Sequence, residues 1–462
     1  MTHARAGVEK NTRSAAGHKE ERNIMNYDKA IEYIESLARF GSKPGLERIR
    51  ALTERLGNPQ DHLKFIHIAG TNGKGSTSVF IAGILSCAGY SVGLYTSPYL
   101  ERFNERIRLN GKEIADDELC EYVGRVKEAV DKMVADGLEQ PTVFEVITAM
   151  AFLYYYEKKC DIVVLEVGLG GRLDATNVIS ESLISVITKI SKDHTDILGS
   201  TIREIAYEKA GIIKQNGIVV TYPQEDSALK VIESVCSQRN AALYRADPGE
   251  FGNVELKPGM LCLTHSRYGD IKTPVVGVHQ VYNAAVALKT VEVLRQSGIN
   301  IKDGDIIEGF RTASWPGRFE LLRRNPDVYI DGAHNPDGVR SFIETFRAIY
   351  PGRKALIVFG VMKDKEYETM LRELSAITER FIAVTPDNPR ALDAESLAKT
   401  MSKYCNNVEY SDTIEEAIER ILAYAACDDI IAALGSLFYI GHVRKLFRDP
   451  AVKQQMKYIS FT

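Results

Sequence analysis

The sequence predicts an α/β protein of two domains, each a mainly parallel sheet covered by helices. Three observations point there. Short apolar runs alternate with helical apolar periodicity along most of the chain, a glycine-rich turn joins the first such run to a helix, and a Trp-Pro-Gly stretch at 315–317 interrupts an alternation that then resumes. With 462 residues and 45% hydrophobic content, the chain exceeds one ordinary core and can fill two.

Residues 1–24 are polar and mix both charge signs without an apolar stretch, so they read as a disordered tail rather than a signal peptide. Met25 stands just before the first helical pattern (Ile31, Ile34, Leu37) and offers an alternative start. Gly and Pro make 39–45 a loop, and a helix carrying Ile49, Leu52 and Leu56 follows. Strands are expected at 65–68, 92–95, 162–167, 183–188 and 218–221, all short apolar runs of the kind buried on both faces. Helical patterns fall at 76–88, 117–133, 144–157, 201–210 and 229–239; residues 243–273 read as short β pieces, and 281–294 returns to a helical period. The first domain is thus expected over 25–313, with a hinge linker at 314–317. The second, over 318–462, carries strands at 328–330, 355–359, 381–384 and 430–433 and helices near 339–349, 367–377, 395–404, 414–425 and 437–447.

Charge and cysteine usage remove several function classes. Lys+Arg 58 against Asp+Glu 62 gives a net charge of -4, which supplies no global field to hold nucleic acid or an anionic membrane. The seven cysteines are scattered, with no Cys-x-x-Cys pair, which argues against a disulfide framework and a zinc site and suits a reducing cytoplasm. No stretch approaches the roughly 20 apolar residues of a membrane span.

The chemistry begins at Phe65–Ser78, where an apolar strand runs into Gly70-Thr71-Asn72-Gly73-Lys74-Gly75-Ser76-Thr77. Glycines let the turn aim its N–H groups inward, and the following helix presents its positive dipole end to the same point, as anions require. Lys74 can reach outer phosphates, and Ser76 or Thr77 can sit on an accompanying magnesium; Gly75 departs from the usual spacing by separating lysine from hydroxyl. Ligands of open α/β sheets lie beyond the carboxyl ends of strands, which directs attention to Thr96-Ser97-Pro98, Glu166 with its glycine turn, and Asp193-His194. Glu166 sits inside the otherwise apolar run 163–167, where a carboxylate needs a cation or several donors; a magnesium ion is one reading and backbone N–H groups the other. His194 is as readable as a helix cap or core hydrogen-bonder as it is as a metal ligand. Lys209 reads from spacing alone as a surface lysine near a helix end. Asp331 is either a ribose or metal partner or a turn residue, and Arg318 either a phosphate clamp or a solvated surface arginine.

Seven motifs in order, HIAGTNGKGS (67–76), YTSPYL (95–100), LEVGLGGRLDATN (165–177), DHTD (193–196), EKAGI (208–212), WPGRF (315–319) and DGAHNP (331–336), resemble the folylpolyglutamate synthase/dihydrofolate synthase family, over nearly the whole chain from about Tyr27. That family shares the extra glycine. The resemblance implies a P-loop, Mur-ligase-like ATPase domain with a mainly parallel sheet, a smaller Rossmann-like C-terminal α/β domain, and an active site between them. It implies ATP held by Thr71, Asn72, Gly73, Lys74, Gly75, Ser76 and Thr77, with Asn283, Arg318 and Asp331 contributing. It implies Mg2+ on Ser97, Glu166 and His194, and a carbamylated Lys209. The expected reaction is ATP-dependent amide formation: a substrate carboxylate becomes an acyl phosphate, and L-glutamate attacks. His334 is a candidate base for that amine, beside Lys74 and Lys209 as catalytic groups. The 171–177 stretch resembles bifunctional bacterial members, which implies a pterin site at Thr142, Phe144, Glu145, Leu173, Asp174 and Ala175, with Asp174 as a bidentate acceptor for pterin N–H groups. The substrates implied are dihydropteroate or folate, L-glutamate and ATP, the expected state a monomer. Tail extension alone, a cell-wall amino-acid ligase of the same architecture, and a non-catalytic ATP switch are the competing readings.

Overall fold

The structure is a computed structural model that describes residues 25–41 and 44–448, so the expected tail at 1–24 lies outside the described residues. β1 (Phe65–Ala69), β2 (Val92–Tyr95), β3 (Ile107–Leu109), β4 (Lys112–Glu113), β5 (Ile162–Glu166), β6 (Ile184–Ile187), β7 (Ile218–Thr221) and β8 (Ala242–Arg245) form one sheet, in the order β4-β3-β2-β5-β1-β6-β7-β8. The pairings from β2 to β8 are parallel, and β3 and β4 add an antiparallel edge. Every residue of β1, β2, β5 and β6 is buried, which is why these strands read as unbroken apolar runs.

The pleat divides β1 between two cores. Ile66 and Ile68 pack with the Lys74–Cys87, Val278–Gln296 and Asp303–Thr312 helices, while Phe65 faces the Asp116–Ala135 and Val143–Glu157 helices. The Ile202–Ala210 and Asp226–Gln238 helices cover Ile187 and Val219. The connection from β1 runs one way along the sheet, to β2, and that from its neighbour β6 the other way, to β7, so the carboxyl ends of β1 and β6 form a switch point, where α/β sheets hold ligands.

β9 (Phe251–Lys257), β10 (Met260–His265) and β11 (Gly269–Thr273) make a small antiparallel sheet whose Leu261, Leu263 and Ile271 join the first core. In the C-terminal part, β12 (Glu320–Arg323), β13 (Asp327–Asp331), β14 (Ala355–Phe359), β15 (Thr378–Ala383), β16 (Val408–Tyr410) and β17 (Ile430–Leu434) order as β12-β13-β17-β14-β15-β16, with only β12 antiparallel. The Pro336–Ile349, Tyr367–Leu374 and Ala394–Met401 helices pack on one face of this sheet, and the Ile414–Tyr424 and Leu437–Arg448 helices on the other.

Several elements escape the sequence pattern. β3, β4, β12 and β16 are two to four residues long, below the length at which alternation is readable. The Asp303–Thr312 helix buries only Ile306, Gly309 and Phe310. It is held by close approach: a Cβ on Gly309 would lie 2.5 Å from the Ile84 backbone.

The two parts meet with their carboxyl edges facing. Arg444 ties them by pairing with both Glu101 and Glu320, and a Cβ on Gly441 would lie 2.0 Å from the Leu100 carbonyl oxygen, so helix and loop touch backbone to backbone.

Candidate active site

Between these edges lies a cavity of about 240 Å³, with the phosphate loop as one wall. Gly73 has a left-handed φ of 88°, and a Cβ there would stand 2.3 Å from Asn283 Oδ1. Gly75, the extra glycine, lies under the only tryptophan: a Cβ would meet Trp315 Cζ2 at 2.4 Å. The loop is clamped from β6, because Thr71 N and Asn72 N donate to Lys189 O and Thr71 Oγ1 donates to Ser191 O at 2.9 Å. Lys74 Nζ folds back onto Gly70 O and Thr71 O, both at 3.2 Å. Ser76 lines the cavity and accepts from Gln280 Nε2 at 3.2 Å, whereas Thr77 is fully buried away from it, its hydroxyl without a hydrogen-bond partner among the described residues. Of the two hydroxyls, Ser76 is the one presented to a ligand.

Glu166 stands beside the loop at the end of β5, 3% exposed. Its nearest cation, Lys74 Nζ, is 4.0 Å away, and Ser97 N donates to Oε2 at 3.2 Å. Burial pushes this carboxyl up to about 6, against the lowering pull of Lys74, the Ser97 N–H and Arg318. A carboxylate so short of positive charge fits a cation. Among the described residues no three His, Cys, Asp or Glu side chains cluster as a metal cage. Magnesium does not require one, since it keeps waters and phosphate oxygens around one or two protein ligands. Ser97, Glu166 and His194 all line the cavity. His194 is held at a left-handed φ of 50°, and burial lowers its pKa, which keeps a ring lone pair free.

Lys209 is 4% exposed, and its Nζ donates to Gly70 O at 2.9 Å. Burial, and then the nearby Lys74 charge, push it down to about 7, with no carboxylate at ion-pair distance among the described residues. It is not the surface lysine its spacing predicts. The helix turns it inward beneath the phosphate loop.

The far wall comes from the C-terminal sheet. Arg318 is half-buried, its Nη1 donating to Gly317 O at 3.1 Å, and Asp331 accepts from Phe319 N and Ala333 N, both at 2.7 Å. Asp331 is therefore a turn-former as well as a cavity residue. Asn283 lines the cavity, its amide bonded to Gln280 Oε1 at 2.9 Å. His334 Nδ1 donates to Gly332 O at 2.8 Å, which leaves Nε2 as an unprotonated acceptor 4.0 Å from Asp193. Burial and Lys365 push its pKa to about 4, so it offers a lone pair but holds a full proton poorly at neutral pH.

Several cross-cleft partners carry no motif of their own. Asp193 receives Lys365 at 3.0 Å and Asn335 at 3.2 Å; burial alone would raise its pKa, but Lys365, His194 and His334 hold it well below the carboxylate range. Asp337 receives Asn72 of the phosphate loop at 2.7 Å and Lys189 at 2.5 Å. Lys189 and Lys365 both follow sheet strands, so the carboxyl-edge rule applied to every strand would have found them; nothing marks Asp337 beyond its place in a helix first turn.

A second cavity, about 420 Å³, opens from the first through Ser97, Pro98, Gly168–Gly170 and Leu198. Thr142, Phe144, Glu145, Leu173, Asp174 and Ala175 all line it. Glu145 Oε2 caps its helix through Thr142 N at 2.7 Å and meets Arg48 Nε at 3.1 Å, while Oε1 is buried without a hydrogen bond among the described residues. Asp174 differs from the expected open acceptor. Its Oδ1 accepts from Thr176 N at 3.0 Å and Thr176 Oγ1 at 2.5 Å, and its Oδ2 from Leu169 N at 2.9 Å. Three of roughly four lone-pair positions are thus spent on its own loop, and a bidentate acceptor pair is not free. Because the Thr176 hydrogen goes to Asp174, buried His67 Nε2 must be the donor in its 2.9 Å contact with Thr176 Oγ1, and His67 underpins the whole loop.

A phosphate loop beside an under-neutralised carboxylate on one edge of a cleft, with Arg318 and Asp331 on the other, defines an ATP-dependent ligase of the Mur type. Residues 68–291 match the Mur ligase middle domain, and residues 317–437 the Mur ligase glutamate ligase domain. The Bacillus subtilis dihydrofolate synthase/folylpolyglutamate synthase is 41% identical over 91% of this chain and 98% of its own length. The crystal structures of Mycobacterium tuberculosis folylpolyglutamate synthase with ADP and AMPPCP give a TM-score of 0.83 at 32% identity, covering 92% of this chain and 100% of that one. Escherichia coli FolC in complex with DHPP and ADP gives 0.78 at 29% identity, covering 91% and 97%. The chain belongs to the folylpolyglutamate synthase/dihydrofolate synthase family.

Proposed function

We propose that this ligase adds L-glutamate both to dihydropteroate and to the glutamate tails of reduced folates, through an acyl phosphate. The observation that carries this is the pair of adjoining cavities: one bears the phosphate loop with Glu166 and Lys209, the other is lined by Phe144 and Leu173 as apolar walls for a flat heterocycle. Glu145 Oε1 is a free buried acceptor there, so we assign to it the pterin N–H recognition that Asp174 lacks lone pairs for.

The loop amides and Lys74 bind and orient the triphosphate, with Asn283 and Asp331 on the nucleoside side. Arg318 and Lys74 bring positive charge to the transferring phosphoryl group from opposite walls, so stabilisation is chiefly electrostatic and positional. Ser97, Glu166 and His194 would hold Mg2+, which supplies charge neutralisation at phosphoryl oxygens. Lys209 is carbamylated in this reading: a buried amine titrating near 7 has the neutral form needed to attack CO2, forming an N–C bond and losing a proton to give an anion beside Lys74. A CO2 adduct on Lys209 by mass spectrometry, with activity falling in CO2-stripped buffer, is the expected result.

His334 accepts a hydrogen bond from the incoming ammonium or amine and orients it, rather than storing its proton. His334→Ala is expected to raise the KM for glutamate, and unchanged turnover at subsaturating glutamate would remove it from that role. The hinge lies at 314–317, between domains at 25–313 and 318–462. The protein acts as a monomer, and its seven free cysteines suit the cytoplasm.

The deciding assay offers ATP and glutamate with dihydropteroate, tetrahydrofolate or a cell-wall precursor, and follows phosphate release. Release with both folate substrates is expected. Tetrahydrofolate alone would reduce the activity to tail extension, and the precursor alone would replace the reading.

A further inference from the structure

A third cavity, about 530 Å³, lies over the Ile202–Ala210 and Asp226–Gln238 helices. It shares Ile197, Leu198 and Glu208 with the pterin cavity, and Leu198 also lines the phosphate cavity, so the three adjoin in one series. Ile197 and Tyr207 stand 54% and 53% exposed on its rim, and the Arg172 guanidinium lies over the Tyr207 ring at 5.8 Å.

The charges of this groove are lopsided in their satisfaction. Glu204 already accepts from Thr201 N and Oγ1, both at 2.9 Å, and Glu208 accepts from Arg172 at 2.9 Å. The cations Arg203 and Lys230 line the same groove with no ion-pair partner among the described residues. Glu208 is neutralised by Arg172 and Glu204 spends its acceptor positions on its own helix cap, so Arg203 and Lys230 against Glu204 leave one positive charge in excess, a field suited to an anion.

Substrate growth supplies the anion. Each γ-glutamyl unit adds one carboxylate and about 6 Å of chain by ordinary bond lengths. The reacting carboxyl must nevertheless return to Lys74 every cycle. A pterin cavity at fixed distance from the phosphate loop suits one substrate length, and longer substrates must extend outward along the series.

We propose that this groove is an outer subsite for long folate substrates, in which Arg203 and Lys230 meet inner tail carboxylates and Ile197 and Tyr207 receive the displaced aromatic head. This rests on the folate-ligase reading above, and the test separates the two.

The full-length double variant Arg203→Glu/Lys230→Glu and the milder Arg203→Gln/Lys230→Gln are assayed with dihydropteroate, monoglutamyl tetrahydrofolate and its tetraglutamyl form. The charge-reversed protein is expected to raise the KM for the tetraglutamyl substrate about tenfold, an effect that shrinks in high salt as surface charge pairs do. KM and kcat for the two short substrates are expected to stay within about twofold, because exposed charges outside a substrate's reach contribute little, and the Gln pair is expected to be intermediate. An unchanged tetraglutamyl KM, or an equal rise for all three substrates in both variants, overturns the subsite. Wild-type protein that glutamylates no folate would instead sink the functional reading, and the occupant of the groove with it.

Discussion

The two inner cavities share a sheet edge and six lining residues, yet they treat buried polar groups oppositely. In the phosphate cavity, among the described residues, Glu166 has its nearest cation at 4.0 Å, Lys209 has no anion at ion-pair distance, and the Arg318 guanidinium bonds a neighbouring carbonyl. In the second cavity Asp174 spends three of roughly four lone pairs on its own loop, and Glu145 is half engaged by its helix cap and Arg48. The first is built to be completed by ligand charge and the second to hold a shape. Buried charge without a partner costs stability, so a protein keeps it only where something else supplies the partner.

The sharpest way to break this contrast is Lys209→Ala. If the lysine exists for ligand charge, kcat falls about 10²–10³-fold, the scale of losing one preorganised charge-stabilising group, while thermal stability barely moves. A large loss of stability with kcat retained would make Lys209 structural. Asp174→Asn should do the reverse. The amide N–H₂ would face Leu169 N, and a buried donor without acceptor costs about 1–3 kcal/mol, read as a lower melting temperature and a raised KM for dihydropteroate with the KM for ATP unchanged.

Glu166→Gln tests the unmet charge directly, in nucleotide-free protein held in chelator. The folded carboxyl titrates near 6 and the unfolded one near 4.5, so between these values the native state holds the extra proton and stability falls as pH rises. The variant should match wild type below about pH 4.5 and exceed it by about 2 kcal/mol above pH 6. Equal melting curves at pH 7.5 would mean the carboxylate is already satisfied. The smallest effect is expected from Gly75→Ala, whose new methyl must displace the Trp315 ring. A cost of about 1 kcal/mol, roughly fivefold in KM for ATP, should follow, with the fluorescence of the sole tryptophan altered. Trp315→Ala in the same chain should relieve part of it.

Much of the architecture is legible because burial on both faces writes itself as apolar runs, as in β1 and β5, and because the glycine turn of the phosphate loop is local. Glu166 is legible for the same reason: one carboxylate in an apolar run stands out. Lys209 is not, since an amphipathic helix does not say which cavity its inward turn meets, and Asp174 misleads because a polar residue at a strand's carboxyl edge looks alike whether it serves a ligand or caps its own loop. Asp193 is visible as a motif, but its partners Lys365 and Asn335 lie 172 and 142 residues away in the chain.

Sequence alone therefore determined the layered sheets, the phosphate loop and the family resemblance, because each rests on spacing within a few residues or on motifs in order. Only the tertiary structure decided which polar groups are left without partners. Hydrogen bonds and ion pairs reach about 3–4 Å through space regardless of separation along the chain, so whether a buried charge is quenched or waiting depends on how the two carboxyl edges meet.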